Sequence, residues 1–233
     1  MKKNRLAIIP ARGGSKRIPR KNIKDFLGKP IISYSIEAAL SSKLFDEVMV
    51  STDDDEIRDI SIQHGAKVPF LRSAKNSDDF ATTINVIEEV VTEYSKLGRK
   101  FIKGCCLYPA APFITSKNLC EAYELLTSNQ YDSVFPILRY NSPIQRSLKL
   151  GMNKRISMCF PEHLHSRSQD LEPTFHDAGQ FYWMNIATVI AKQKLWTGNS
   201  GGIEIRESEG QDIDTLEDWA MAELKYSLLH QIS

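Results

Sequence analysis

Two stretches of the 233-residue chain carry residue types and spacings suited to chemistry on a charged small molecule. Between Arg12 and Lys24 stand six cations, Arg12, Lys16, Arg17, Arg20, Lys21 and Lys24, with no acid among them. Gly13, Gly14 and Ser15 lie inside the same run. Glycines let backbone N–H groups approach an anion closely, and the clustered cations repel one another until an anion neutralises them. The other stretch is acidic: Glu204 to Glu223 holds eight acids and one base, Arg206. Within it Asp212 and Asp214 are two residues apart, so on an extended segment both carboxylates point to one side. Paired carboxylate oxygens suit a hard cation such as Mg²⁺, with phosphate oxygens completing its shell.

Each stretch also has a plainer explanation. The basic run lacks Walker A spacing, because Gly28-Lys29 is followed by Pro30 and no Gly lies five residues earlier; the dinucleotide G-x-G-x-x-G is absent too. A solvated basic loop turning at Gly13-Gly14 is the competing reading. Asp214-Thr215-Leu216-Glu217 is a passable capping box for a closing helix, so for Asp214 capping and metal binding stand equal on the residues alone. Asp212 is not explained by the cap. His163 and His165 are separated by one residue, but no cysteine or further histidine lies at zinc-ligand spacing nearby. No Ser-His-Asp or Cys-His nucleophile is apparent.

The elements that must position these residues follow from periodicity. Leu6–Pro10 is a short apolar run and reads as a buried strand, with the basic loop leaving its carboxyl end. A helix opens after Pro30, with Ile32, Ile36 and Leu40 on one face. Val48–Ser51 is a strand, Thr52–Asp55 supplies N-cap candidates for a helix ending near His64, and Gly65 stops it. Val68–Phe70 is a brief extended piece. Val86, Val90, Val91 and Tyr94 mark a helix closed by Gly98. Ile102–Tyr108 is a strand, Ser116 caps a helix through Leu126, and Ser133–Leu138 is a strand. Alternating strands and helices predict an α/β fold with a mostly parallel sheet covered on both faces. The pattern breaks over Arg139–Asp177, read as an inserted hairpin or arm (139–177) within one domain spanning 1–233, with strand-like pieces at Leu148–Leu150 and Ile156–Cys159. Gln180–Asn185 reads as a returning strand and Thr215–Ile232 as a closing helix.

Composition narrows the class. Thirty basic residues against 29 acidic ones give a net charge of +1, which argues against a general nucleic-acid or membrane-surface binder. Hydrophobic residues at 42% support an ordinary globular core. The four cysteines form no C-x-x-C pair and fit a reducing cytoplasm. The first apolar run is too short for a signal sequence, and nothing approaches a membrane span.

The segment Ile8-Ile9-Pro10-Ala11-Arg12-Gly13-Gly14-Ser15-Lys16-Arg17-Ile18-Pro19-Arg20-Lys21-Asn22 resembles the signature loop of the cytidylyltransferases that activate sialic-acid-type sugars. Ser51-Thr52-Asp53-Asp54, Pro69-Phe70-Leu71-Arg72, Ser77-Asp78-Asp79 and Asp212-Ile213-Asp214-Thr215 follow in the family's order, so the resemblance spans nearly the whole chain. On the sugar side, Phe160–His163, Arg167–Leu171 and His176–Trp183 are similar to the pseudaminic acid branch. The sialic acid branch resembles R-Q-D-L-P and N-G-x-I-Y there. Tyr108 stands where that branch carries Gln, and Met184 departs from an expected Gly.

The resemblance implies a Rossmann-like fold of the nucleotide-diphospho-sugar transferase type with a small dimerisation arm. It implies CTP and a nonulosonic acid as substrates, giving a CMP-sugar and pyrophosphate for surface glycan or flagellin glycosylation. Arg12, Lys16 and Lys21 would contact phosphates alongside Gly13 and Gly14. Ser15 and Asn22 would orient the nucleotide, and Arg72 would approach the cytosine. Asp212 and Asp214 would hold Mg²⁺, completing a catalytic set with Arg12 and Lys21. Tyr108, Arg167, Gln169, His176 and Gln180 would face the sugar, with Arg167 pairing its carboxylate. A cytoplasmic homodimer is expected. The alternatives are an enzyme for N-acetylneuraminic, legionaminic or ketodeoxyoctonic acid, and a nucleotide-binding module without catalysis.

Overall fold

A strand covered on both faces needs apolar residues at every position rather than at alternate ones. Leu6–Ile9 meets that condition and forms the fully buried middle of β1 (Arg5–Pro10). In the computed structural model, which describes residues 4–231, β1 is followed by the hairpin β2 (Asp25–Phe26) and β3 (Lys29–Pro30), then helix α1 (Ile31–Ser41). Next come β4 (Glu47–Ser51), α2 (Asp55–Gln63), α3 (Thr83–Lys96), β5 (Lys103–Leu107), α4 (Ser116–Ser128) and β6 (Ser133–Arg139). The chain continues through β7 (Leu148–Leu150), β8 (Ile156–Met158), β9 (Phe175–Asp177), β10 (Phe181–Asn185), α5 (Ile186–Lys192), β11 (Ser200–Glu204) and α6 (Leu216–His230).

The central sheet runs β11-β6-β10-β5-β1-β4, with β9 also pairing β6. β1 is parallel to β4 and β5, and β11 is parallel to β6; β10 runs antiparallel between β5 and β6. The sheet is therefore mostly parallel, as the alternating pattern predicts. Period-two alternation divides each strand between two layers. Ala7 and Ile9 join a cluster with Ile32 and Ile36 of α1, Ile57 of α2 and Leu119 of α4. Leu6 and Ile8 join the opposite cluster with Ile87 and Val90 of α3 and Val189 of α5. A third cluster gathers Ile18 from the basic loop, Phe26, Tyr34, Phe113, Ile213 from the acidic stretch and Trp219 of α6.

Several local expectations shift. The cap of α4 is Thr115, whose side chain accepts from the Asn118 N–H, rather than Ser116. The cap of α6 is Thr215, paired reciprocally with Asp218, so Asp214 is released from the capping role. Ile232 lies outside the described residues. Val68–Phe70 forms no strand; only Lys67 bridges to Met49. Phe181 and Trp183 are core residues, Trp183 stacking on Phe45 at 4.9 Å and donating to the Leu119 carbonyl. The arm holds the expected hairpin, β7 pairing β8, and its last three residues rejoin the sheet as β9. α5 and β11 are additions that the sequence reading did not contain.

Glu47 at the amino end of β4 pins the edge opposite the loops. Its buried carboxylate accepts from the Tyr94 hydroxyl, the Arg99 guanidinium and, at 3.0 Å, Lys67 Nζ. Burial alone would raise its pKa, but the three donors outweigh burial and hold it below the ordinary carboxylate value of 4.5. A lowered carboxylate stabilises the fold most above its unfolded pKa and loses that contribution as pH falls through its folded value. Glu47→Gln is therefore expected to cost about 2 to 3 kcal/mol at pH 7. The difference should shrink below about pH 4.5, which urea unfolding at a series of pH values measures.

Candidate functional site

The parallel strands bring their carboxyl ends to one edge, the place where open α/β sheets hold ligands. Pro10, Ser51, Leu107, Arg139 and Glu204 end there, and antiparallel β10 starts there. The basic loop is fastened to this edge by its backbone. The Ala11 N–H donates to the Ser51 carbonyl at 2.9 Å, and the Gly13 N–H donates to Asp53 Oδ1 at 3.0 Å. Buried Asn22 donates its amide to the Arg12 carbonyl at 3.0 Å, closing the loop on itself. Gly13 passes so near α2 that a Cβ there would stand 2.8 Å from Asp54 Oδ2.

The six cations separate into two kinds. Arg20, in the left-handed conformation at φ +54°, turns back to Asp54 and Glu56. The hydrogen bonds from Arg20 hold the Asp54 carboxyl below its ordinary range. Lys24 lies 4.6 Å over the ring of Trp219. These two are structural. Arg12, Lys16, Arg17 and Lys21 face a cleft made of two joined cavities. One, of about 500 Å³, is lined by Arg12, Arg17, Arg72, Asp79, Thr83 and Tyr108 among others. The second, of about 410 Å³, includes Ser15, Lys16, Lys21, Asn22 and Pro109, and it shares Pro10, Arg12, Arg17 and Asp79 with the first. Together they lie within the volume range of small-molecule sites.

The chain's own acids stand among these cations. Arg12 pairs with Asp79 at 2.9 Å, and Lys16 pairs with the same carboxylate. Arg17 meets Asp214 at 2.6 Å, with Lys21 Nζ 3.7 Å from Asp214 and donating to the Ile213 carbonyl at 2.7 Å. The acidic stretch is thus brought to the basic loop across 192 residues of sequence. Ile213 is buried between Asp212 and Asp214, which leaves both carboxylates on the outer side of the segment. Asp212 is held above the ordinary carboxylate value, first by desolvation and then by Asp214 beside it. No cluster of three or more His, Cys, Asp or Glu suited to a metal occurs among the described residues. The donor set, two hard carboxylates with positions left for water and phosphate, fits Mg²⁺ rather than a closed protein cage.

Arg72 is buried at the cleft's inner wall, where its Nε donates to Ser51 Oγ at 3.0 Å and another nitrogen to the Ser51 carbonyl. Burial pulls its pKa down. Tyr108 packs edge-on against Tyr182 at 5.7 Å, and its N–H donates to the Gln180 carbonyl at 2.8 Å. Gln180 is itself buried and donates to the Glu209 carbonyl at 2.6 Å. Arg167, Gln169 and His176 do not line the cleft. Gln169 borders a separate cavity of about 380 Å³ on the arm, and His176 packs against Tyr140 at 4.8 Å.

A cytidylyltransferase family model matches residues 6–193. The chain is 42% identical over 97% of its length, and 97% of the relative, to a pseudaminic acid cytidylyltransferase of Campylobacter jejuni. The chain belongs to the cytidylyltransferase family. It is also 32% identical, over 94% of both chains, to a CMP-N,N'-diacetyllegionaminic acid synthase of Legionella pneumophila. In fold it matches a solved CMP:2-keto-3-deoxy-manno-octonic acid synthetase complexed with CTP, at a TM-score of 0.71 and 17% identity, covering 98% of this chain and 99% of that one.

Sequence reasoning left out Arg17, Asp79 and Thr83, all in the cleft lining. Arg17 was one cation among six, and only the fold separates the four that face the cleft from Arg20 and Lys24. Asp79 lies in Ser77-Asp78-Asp79, and nothing in its spacing ties it to a loop more than 60 residues earlier. The packing also predicts opposite outcomes for neighbouring glycines. Gly13→Ala should cost about 1 to 3 kcal/mol, because Asp54 is held by its helix cap and by Arg20 and cannot yield. Gly14→Ala, with nothing within 4 Å of its Cβ, should stay within about 0.5 kcal/mol of the parent protein. Urea denaturation of the two variants checks this.

Proposed function

We propose that this cytidylyltransferase transfers CMP from CTP to a nonulosonic acid, pseudaminic acid in the first place, and releases pyrophosphate. The observation that carries the reading is the joined cleft with its four loop cations, two of which, Arg17 and Lys21, meet Asp214 of the Asp212–Asp214 pair. The pseudaminic acid choice is supported by the Campylobacter jejuni relative and by the Phe160–His163 and His176–Trp183 segments. In this reading the anomeric hydroxyl of the sugar attacks the α-phosphorus in line, and pyrophosphate leaves with its charge met by cations. Arg12, Lys16 and Lys21 hold the phosphates, joined by Arg17. The Gly13-Gly14-Ser15 backbone approaches them closely, and Asn22 keeps that backbone in place through Arg12. Arg72, fixed by Ser51, faces the cytosine.

Asp212 and Asp214 hold Mg²⁺, which supplies charge neutralisation at the phosphates. Tyr108 and Gln180 belong to the wall beside the sugar. Arg167, Gln169 and His176 lie on or beside the arm rather than in the cleft, and we assign them to the cleft of a second copy. Exposed apolar side chains on the hairpin, Leu148, Leu150, Met152 and Ile156, support that assignment, since such a patch favours burial against a partner. Among the described residues no helix is long and apolar enough to cross a membrane. A cytoplasmic location follows in this reading from the use of CTP.

Pyrophosphate release with CTP and Mg²⁺ over a panel of nonulosonic acids tests the function. Release is expected with pseudaminic acid above all, and Asp212→Asn is expected to lower kcat at least about 100-fold while CTP binding changes less. No release with any sugar would sink the catalytic reading; release only with N-acetylneuraminic or legionaminic acid would move the substrate to that branch. Light scattering should give twice the chain mass of 26.4 kDa. Leu150→Glu with Ile156→Glu should return the single-chain mass.

A further inference from the structure

Asp79 stands where the two cavities of the cleft join, and it lines both of them. One of its oxygens pairs with Arg12 at 2.9 Å and the other with Lys16. The same Arg12 nitrogen donates to the Asp78 carbonyl at 2.8 Å. The Asp78 side chain in turn accepts from the N–H groups of Phe80 and Ala81, at 2.9 and 2.8 Å, which folds a tight turn that presents Asp79 to the basic loop. This turn lies between a short 3₁₀ segment ending at Asn76 and α3, and it pairs with no strand. An anion chain reaching from the first cavity into the second passes beside this carboxylate and the two cations it pairs.

We propose, building on the CTP reading above, that Asp79 is an internal competitor for the polyphosphate. It neutralises Arg12 and Lys16 when the cleft is free of phosphate, is displaced by CTP, and takes both cations back as pyrophosphate leaves. The charges allow this exchange. Asp79 offers one negative charge from a partly exposed position, where ion pairs are individually weak. A triphosphate or pyrophosphate offers several charges to the same two cations. The carboxylate is tethered, so it recaptures them without diffusing. Its effect is to weaken every ligand that needs both cations by one factor, and to leave unchanged a ligand that needs neither.

Isothermal titration of CTP, pyrophosphate and cytidine against the wild type, Asp79→Asn and Asp59→Asn tests this. Asp59 pairs with Arg58 on α2, so its substitution controls for net charge alone. Asp79→Asn is expected to tighten CTP and pyrophosphate binding by about three- to tenfold. Cytidine affinity should not change, and pyrophosphate should become a stronger product inhibitor. Unchanged CTP and pyrophosphate affinity, or weaker binding as expected of a metal ligand or positioning group, would overturn the proposal. So would an equal gain from Asp59→Asn. A wild type that bound pyrophosphate but not CTP would overturn the nucleotide reading alone, with the Asp79 comparison still read on pyrophosphate.

Discussion

Like charges held close together in a cleft are the constraint around which this protein is arranged. Two unit charges 8 Å apart at an effective dielectric near 20 repel by about 2 kcal/mol. Arg12, Lys16, Arg17 and Lys21 share one short loop and one cleft, so several such terms act together. The fold meets them with carboxylates from distant segments: Asp79 beside Arg12 and Lys16, Asp214 beside Arg17 and Lys21. The two carboxylates offset part of the loop's charge, and its backbone is tied to Ser51 and Asp53. Neutralisation by exposed carboxylates is weak enough to be reversed by a polyanion, whereas a deeply buried pair would not yield.

Electrostatics alone would leave the loop and the acidic stretch loosely related. Apolar packing fixes their separation. Ile18, in the middle of the basic loop, and Ile213, between the two aspartates, are both buried in the cluster built on Phe26 and Trp219. Ile18 follows Arg17 and Ile213 lies between Asp212 and Asp214, so burying the two isoleucines in one cluster brings Arg17 to Asp214. Helix α6 completes that cluster, and its cap at Thr215 begins one residue after Asp214. The closing helix therefore positions Asp214 without using its side chain, which leaves the carboxylate available for other partners.

The parts of this arrangement that were legible in the sequence are those with a local cause. Continuous apolar runs gave β1, β4, β5 and β6, because parallel strands are buried on both faces. The arm hairpin at Leu148–Leu150 and Ile156–Met158 was legible from alternation, and the basic loop from its charge. What was not legible depends on contacts far apart in the chain. β11 contains Gly201-Gly202, which bring no side chain to a strand pattern; the Tyr131 ring covers Gly201, where a Cβ would stand 2.5 Å away. α5 is seven residues long, too short to show a helical period. Of the two roles left open for Asp214, capping falls to its neighbour, since Thr215 and Asp218 form the box.

The division between cleft and arm bears on how one scaffold serves different sugars. The basic-loop side of the cleft is built from backbone ties, buried Arg72 and buried Asn22. The segments that distinguish the pseudaminic acid branch lie elsewhere, in the arm and at the start of β10, where His163, Gln169 and His176 are at least partly exposed. In the proposed reading, a change in those segments leaves the phosphate loop and its counter-charges untouched. Pro136 in β6 helps this separation: without an N–H, it still accepts from the Ala178 N–H, and the β9–β10 strand breaks there at Gly179 with φ +63°. The break redirects the chain from the arm to Gln180, whose carbonyl accepts from the Tyr108 N–H, while His176 stays with the arm. In the proposed reading, sugar choice can drift along the arm while CTP handling is held constant by the packing beneath the loop.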